Sequence, residues 1–366
     1  MPFGTSGVLG IELGSDQLRV IHGALSGSLL SIYDFAAEEI LISNPENAAQ
    51  QLGALVERKK LSSYPAALTV SGPGVVHRLL DFPSMPLSEL ALVVEREMHL
   101  VGGAGAEEVA FDWEVIEEKD SGNLKEMRVL VAIAPQSQVR AAQELLAQGR
   151  LKPALFTTPP ISLLRSLRFV QGEGKGLQAV LCVAGQQGYL LGVKDGAWNF
   201  YREFSSRSSE RGRESLLEEA VREANRVLLY HRQRYREGGE IGFLISGEKG
   251  FEELQIRLQR ETGIQGEVVR PAPEIDLAPL GERGNVFRDL FPSFLIPLGL
   301  VAAAYLPAGI NLVPKAVRKA VRSRPSIDWS FVHRPALGLI LLIIFLGVHL
   351  VLVYTERRYQ RLLENR

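Results

Sequence analysis

Apolar residues along this chain fall into short unbroken runs and into stripes of helical period, and the order of the two kinds repeats. Residues 8–13 form a continuous apolar strand that stops at Gly14 and Ser15; residues 17–24 and 28–35 read as a second and a third strand, and 47–61 as a helix. The series returns in the second half. Strand 178–183 ends at Gly185, strands 189–193 and 198–204 are joined by the hairpin turn Asp195-Gly196, and a helix is predicted over 213–236. In that helix Leu217, Ala220, Val221, Ala224, Val227 and Leu228 share one face. Strand 241–246, helix 251–262 and strand 267–270 follow. Two copies of strand-turn-strand-strand-helix-strand predict an α/β body made by internal duplication.

A separate block interrupts the copies over residues 83–154. A helix starts within 84–90 and carries Glu95, Arg96 and Glu97, strands are predicted over 108–116 and 127–134 around the turn 119–123, and helix 136–148 closes the block. Helix-strand-strand-helix is the pattern of a compact inserted subdomain.

The last third differs in kind. Residues 336–353, ALGLILLIIFLGVHLVLV, contain no Asp, Glu, Lys or Arg, and at ~1.5 Å per residue they reach about 27 Å, near the thickness of a bilayer's hydrocarbon core. Trp329, Phe331 and Arg334 precede the run, and Tyr354, Arg357 and Arg358 follow it, as at an interface. A soluble helix keeps a polar face, which this run lacks. The linker before it holds Lys315, Arg318, Lys319, Arg322, Arg324 and Arg334 against Asp328, a larger basic excess than in the tail, so the N-terminal side is predicted cytoplasmic. The first residues show no charged stretch leading into an apolar one, which predicts that no signal peptide exports the body. The apolar run 294–306 is shorter, contains Pro297 and Gly299, and is expected to be a buried core helix.

Composition narrows the chemistry. A net charge of -1 over 366 residues suggests neither nucleic-acid binding nor an acidic-substrate field. The single cysteine, Cys182, excludes an internal disulfide and a cysteine-built metal site, and the six histidines lack ligand spacing. Gly102-Gly103-Ala104-Gly105-Ala106 has no Lys-Ser/Thr after it and reads as a loop rather than a phosphate cradle; the Arg-rich run 202–213 reads as a solvated segment.

Four stretches together resemble the PilM family, actin-like cytoplasmic proteins of type IV pilus assembly related to the cell-division protein FtsA. Gly10-Ile11-Glu12-Leu13-Gly14-Ser15 is similar to the family's opening phosphate hairpin, usually G-I-D-I-G-S. Residues 80–86 with the Glu95-Arg96-Glu97 helix resemble the entry to its inserted 1C subdomain, Leu151-Lys152-Pro153-Ala154 its exit, and Leu244-Ile245-Ser246-Gly247 its adenosine strand. A fifth stretch, Ile310, Asn311, Leu312, Val313 and Pro314, resembles the I-N-L-L-P sequence that begins PilN, the single-pass partner of PilM, which continues through basic residues into a membrane helix. The order here is the same, so the chain resembles a PilM–PilN fusion, an arrangement also similar to the GspL proteins of type II secretion.

The resemblance implies an actin-like, ribonuclease-H-type two-lobed α/β fold with a degenerate nucleotide site at Glu12, Gly14, Ser15, Gly185 and Gly247. In actin-like ATPases two D-x-G turns offer backbone N–H groups to phosphates while their aspartates organise metal and water. Here Glu12 replaces the first aspartate with a longer side chain. Cys182 stands at the second acid's position and Ala184 at its glycine's; cysteine is no ligand for magnesium, and a Cβ obstructs close approach of phosphate. Glu248 replaces a glycine in the adenosine turn. The lone Cys182 reads as a buried small hydrophobe.

The expected organisation is residues 1–82 as the first actin-like copy, 83–154 inserted, 155–306 as the second copy, 307–334 peptide and basic linker, 335–355 membrane helix, and 356–366 a periplasmic stub. The expected function is a single-pass scaffold of the bacterial inner membrane, without catalysis, without metal or resident cofactor, and without nucleic acid. Its expected partners are pilus or secretion platform proteins and, through residues 310–314, a groove on its own body or a neighbour's. The alternatives are a membrane-tethered actin-like ATPase using ATP with magnesium, and a GspL-like component of type II secretion. The peptide's Pro314 biases Val313 to extended backbone, which predicts Ile310 and Leu312 on one side and Asn311 as a backbone-pairing amide.

Overall fold

The computed structural model describes residues 7–14, 17–40, 45–101, 108–120, 125–171, 176–206, 212–234, 241–247, 250–306, 309–315 and 317–318. The chain divides into residues 1–321 and 322–366. The membrane helix expected at 335–355, the stub 356–366, most of the basic linker, Ser15 and Glu248 lie outside the described residues.

The first copy forms β1 (Val8–Leu13), β2 (Gln17–Ser26), β3 (Leu29–Glu39), α1 (Pro45–Arg58) and β4 (Pro65–Thr69). The inserted block follows as β5 (Val76–Pro83), α2 (Leu87–Val101), β6 (Val109–Asp120), β7 (Lys125–Pro135) and α3 (Gln136–Gln148). Then β8 (Lys152–Thr157) and α4 (Pro159–Ser166) lead to the second copy: β9 (Leu177–Ala184), β10 (Gln187–Lys194), β11 (Ala197–Ser205), α5 (Gly212–Arg234), β12 (Gly242–Gly247), α6 (Phe251–Thr262) and β13 (Glu267–Val268). The return segment holds β14 (Ile275–Asp276), α7 (Arg283–Leu290) and α8 (Leu295–Ala304).

The duplication holds for five strands of each sheet, the first lobe adding β14 at its edge. The six-stranded sheet runs β14-β3-β2-β1-β4-β8 and the five-stranded sheet β11-β10-β9-β12-β13. In each, an antiparallel meander is extended by strands parallel to its first member. This two-lobed α/β arrangement is the actin-like fold. The lobes share a core, since one buried cluster contains Ile21, Leu30 and Ile32 of the first with Val180, Leu191 and Leu244 of the second. The return segment crosses between them: β14 pairs with β3, and Arg283 reaches Asp34 at 2.6 Å and lies over the Phe35 ring.

Two central helices, α4 and α8, seat the lobes on one another. A Cβ built on Gly299 would fall 1.8 Å from the Ser162 carbonyl oxygen, so only glycine admits this backbone contact. All ten residues of α8 are buried. Among the described residues one helix, Arg283–Ala304, is long and apolar enough by length and composition to cross a membrane; its C-terminal half is core, as the sequence predicts.

The inserted sheet, β5-β7-β6, begins earlier than the expected boundary at residue 83. β5 pairs with β7 along its whole length, and Leu80 and Phe82 pack on the core that holds Leu90 and Val94 of α2, so the strand belongs to the insertion. At the other end α3 leaves it: Val139, Ala142 and Leu146 join Leu52 and Leu55 of α1 in the core of the first lobe.

Candidate functional site

The β1–β2 hairpin is closed by the Gly14 N–H donating to the Gln17 carbonyl at 2.8 Å. Its register places Glu12 directly opposite Arg19. The carboxylate and guanidinium are 3.3 Å apart, and Arg19 also donates to the Gln17 side chain at 2.7 Å. Both side chains are buried, 7% and 1% exposed. A buried carboxylate must be compensated, and Arg19 supplies the positive charge that a metal would bring.

In the second lobe Cys182 pairs in register with Tyr189 of β10 and Ser246 of β12. Its thiol is buried, 3.8 Å from the Ser246 hydroxyl, which donates to the Pro292 carbonyl at 2.7 Å. Gly185 sits in the turn between β9 and β10. Gly247, at φ +126°, presses on β9: a Cβ there would meet the Val183 carbonyl oxygen at 1.9 Å. Its glycine is demanded by strand packing, whether or not a nucleotide approaches.

Aromatic side chains fill the space beside these turns. Tyr189 and Tyr201 stack at 6.4 Å, and Trp198 and His77 close on Tyr201 at 5.7 and 5.2 Å. Burial pushes the Tyr189 hydroxyl well above its ordinary pKa, with Glu203, Glu12 and Cys182 adding to the rise. Burial likewise lowers His77 to about 4, a neutral ring whose Nε2 is 2.7 Å from the Thr158 hydroxyl.

The structure thus brings Cys182, Gly185 and Gly247 together in one lobe and Glu12 and Gly14 in the other. An actin-like magnesium-ATP site would call for a carboxylate at each turn. One turn carries a thiol among core side chains where a carboxylate would be needed, and the other's carboxylate already holds a guanidinium. Among the described residues no cluster of three or more His, Cys, Asp and Glu suits a metal ion.

The second site is built on β8, an edge of the six-stranded sheet. Residues 310–314 lie along it in their own chain. Ile310 (1% exposed) enters the core between the lobes, while Leu312 and Val313 enter the core of the first lobe beside Phe156. The Leu312 N–H donates to the Phe156 carbonyl at 2.7 Å. Asn311 completes the pairing: its Oδ1 accepts from the Phe156 N–H at 3.2 Å, and its Nδ2 donates to the Ala154 carbonyl at 3.3 Å. The peptide therefore covers an exposed strand edge, a surface that otherwise invites pairing with other chains.

Strand-like alternation fails at Val313, which is buried as fully as Leu312. The reason is local. Asn311 Oδ1 also accepts from the Val313 N–H at 2.9 Å, an Asx-type turn that bends the segment. A helical turn follows, with the Val317 and Arg318 N–H groups both donating to the Pro314 carbonyl.

Asp112 and Arg318 carry no sequence signal for this site. Asp112, on β6 of the inserted block, accepts from the Asn311 N–H at 2.9 Å and from the Arg318 guanidinium at 3.2 Å. Arg318 folds back to donate to the carbonyl oxygens of Val313 and Asn311. The peptide so bridges β8 of the first lobe and β6 of the insertion. Two residues beyond Asp112, Glu114 pairs with Arg165 of α4. Burial raises the Glu114 pKa, opposed by Arg165.

Fold and site define an actin-like body with a docked extended peptide. The solved PilM-PilN type IV pilus biogenesis complex has the same fold, with a TM-score of 0.67 at 20% identity over 83% of this chain and 100% of that one. Two further solved structures are more distant. The ethanolamine utilization protein EutJ from Carboxydothermus hydrogenoformans has a TM-score of 0.44 at 12% identity, over 82% and 91% of the two chains. The cytoplasmic domain of EpsL, an inner membrane component of the type II secretion system of Vibrio cholerae, has 0.42 at 10%, over 85% and 100%. No family model matches the sequence, and no curated protein does.

Proposed function

We propose that this chain is a non-catalytic platform component of type IV pilus assembly, in which an actin-like cytoplasmic body and a PilN-like peptide, linker and membrane helix are one polypeptide. The observation that carries the reading is the seating of Ile310, Asn311, Leu312 and Val313 on β8 and Asp112 of their own body. The likeness of the body to the solved complex supports it, since that complex is named for two proteins, PilM and PilN. Burying Ile310, Leu312 and Val313 contributes roughly 1.5–3 kcal/mol each in gross terms. The short connection from the end of α8 raises the peptide's effective concentration, so little of that gain is spent on association.

In this reading the body is a fixed mount. The Glu12–Arg19 pair and the buried Cys182 leave the phosphate turns without the acids that hydrolysis requires, so the lobes stay together through α4, α8 and their shared core, with no nucleotide between them. The basic linker and residues 336–353 place the body on the cytoplasmic face of the inner membrane.

The test has two arms. The full chain is solubilised from membranes and its retained proteins identified; pilus platform components are the expected result, and retention of type II secretion components in their place would reassign the system. A reporter active only in the periplasm is expected to work after Arg366 and stay silent after Gly309, and the reverse result would overturn the orientation.

A further inference from the structure

The docked segment does not stop at Pro314. Lys315, Val317 and Arg318 belong to a helical turn whose last residue reaches back over the peptide. Arg318 Nε donates to the Val313 carbonyl at 2.5 Å, and its terminal nitrogen donates both to the Asn311 carbonyl and to Asp112 Oδ2 at 3.2 Å. One side chain therefore binds two backbone carbonyls of the peptide and a carboxylate of the inserted block. Guanidinium is suited to this, with five donors in a planar fork that an ammonium cannot reproduce.

Asp112 is equally committed. Its Oδ2 accepts from the peptide backbone at Asn311 and from Arg318. Without the segment that carboxylate would face Glu114, two residues along the same face of β6, with Arg165 as the nearby cation.

We propose that Arg318 is the specificity-determining residue of this groove, which reads a nine-residue element, Ile310 to Arg318, and uses the arginine to latch the peptide onto Asp112 of the inserted block. The inference deepens the docking described under the proposed function and rests on it. Two consequences follow from the geometry. A peptide with the aliphatic and asparagine positions but no arginine eight residues after its first isoleucine docks on β8 without engaging the insertion. A pull along the linker meets Arg318 before it meets the buried Ile310, Leu312 and Val313, because Arg318 stands on the linker side of them.

The test is hydrogen exchange on the full chain in detergent micelles, read over the segment 310–314 (at the amides of Ile310 to Val313, since Pro314 has none) and, as a control for folding, at β9 and β10. Wild type, Arg318→Gln, Arg318→Lys, Asp112→Asn and the Arg318→Gln/Asp112→Asn double variant are compared. Each of Arg318→Gln and Asp112→Asn is expected to speed exchange at 310–314 by about tenfold, the size of a charge-assisted hydrogen bond that is partly solvated. Arg318→Lys should recover only part of the protection, the double variant should exchange no faster than the worse single one, and β9–β10 should be unchanged throughout. Unchanged exchange in both single variants, or effects that multiply in the double, would overturn the latch while leaving the docked peptide standing. If residues 310–314 exchange at the unprotected rate in wild type, the docking itself is wrong and the latch falls with it.

Discussion

Glu12 and Arg19 face each other at 3.3 Å across the first hairpin, each nearly sealed from solvent. The pair sits in the turn that resembles a phosphate-binding hairpin, and it sets the first expectation. Removing one member strands the other, so Glu12→Gln and Arg19→Met are each expected to lower stability by about 3–5 kcal/mol, whereas Glu12→Leu combined with Arg19→Met should cost clearly less. Chemical denaturation followed by circular dichroism measures this. The same experiment with millimolar magnesium-ATP should leave the wild-type midpoint in place. A ligand present at a hundred times its dissociation constant would add about 2.7 kcal/mol, and such a shift would sink the non-nucleotide reading.

Asn311 joins the peptide to the edge strand through both ends of its amide. Asn311→Ala leaves the Phe156 N–H and the Ala154 carbonyl without these partners, and releases the bond that bends the chain at Val313. An expected loss of about 2–3 kcal/mol of local protection at 310–314 should appear in hydrogen exchange. Protection equal to wild type would show that the aliphatic side chains alone hold the peptide.

Gly299 lets α8 touch the backbone of α4. Gly299→Ala places a methyl group within 1.8 Å of the Ser162 oxygen, and the two helices must separate. The expected outcome is a chain that fails to fold or loses more than about 3 kcal/mol. Gly212→Ala, with no atom within 4 Å of the added carbon, should change stability by less than about 1 kcal/mol.

His77 gives a pH signature. Its ring, packed on Trp198 and Tyr201, has a pKa lowered by burial from 6.5 to about 4. The unfolded chain therefore binds a proton between those values that the folded chain refuses. Stability is fully present above about pH 6.5 and is lost as pH falls toward 4, by at most about 3 kcal/mol. His77→Gln, which can still reach the Thr158 hydroxyl, should flatten the dependence in that window. If wild type and variant lose stability in parallel, the histidine is not its source.

Much of the fold could be read along the chain because its signals are local. Helices 136–148 and 251–262 and strand 8–13 appear where apolar period and turn residues place them. The duplicated order follows from those elements, and so does the burial of α8, whose apolar residues leave no polar face. The boundaries of the insertion were less legible. Strand β5 is mostly exposed, and it belongs to the inserted sheet because it pairs with β7 along its whole length, with Leu80 and Phe82 packed on the core that α2 shares.

The candidate sites divide in the same way. Sequence by itself determined which residues stand where the resemblance expects phosphate turns, Glu12, Cys182 and Ala184, and which peptide precedes the linker, since these are statements about neighbours along one chain. Tertiary structure decided what those residues meet. Hairpin register set Arg19 against Glu12, strand packing explained Gly247, and an Asx turn buried Val313. Asp112 and Arg318 are separated by the second lobe in sequence and are joined only because β6 and β8 present one continuous surface to the returning chain. Periodicity records which side of an element is apolar; it holds no information on which distant charge arrives beside it, because that depends on how the lobes and the insertion close together.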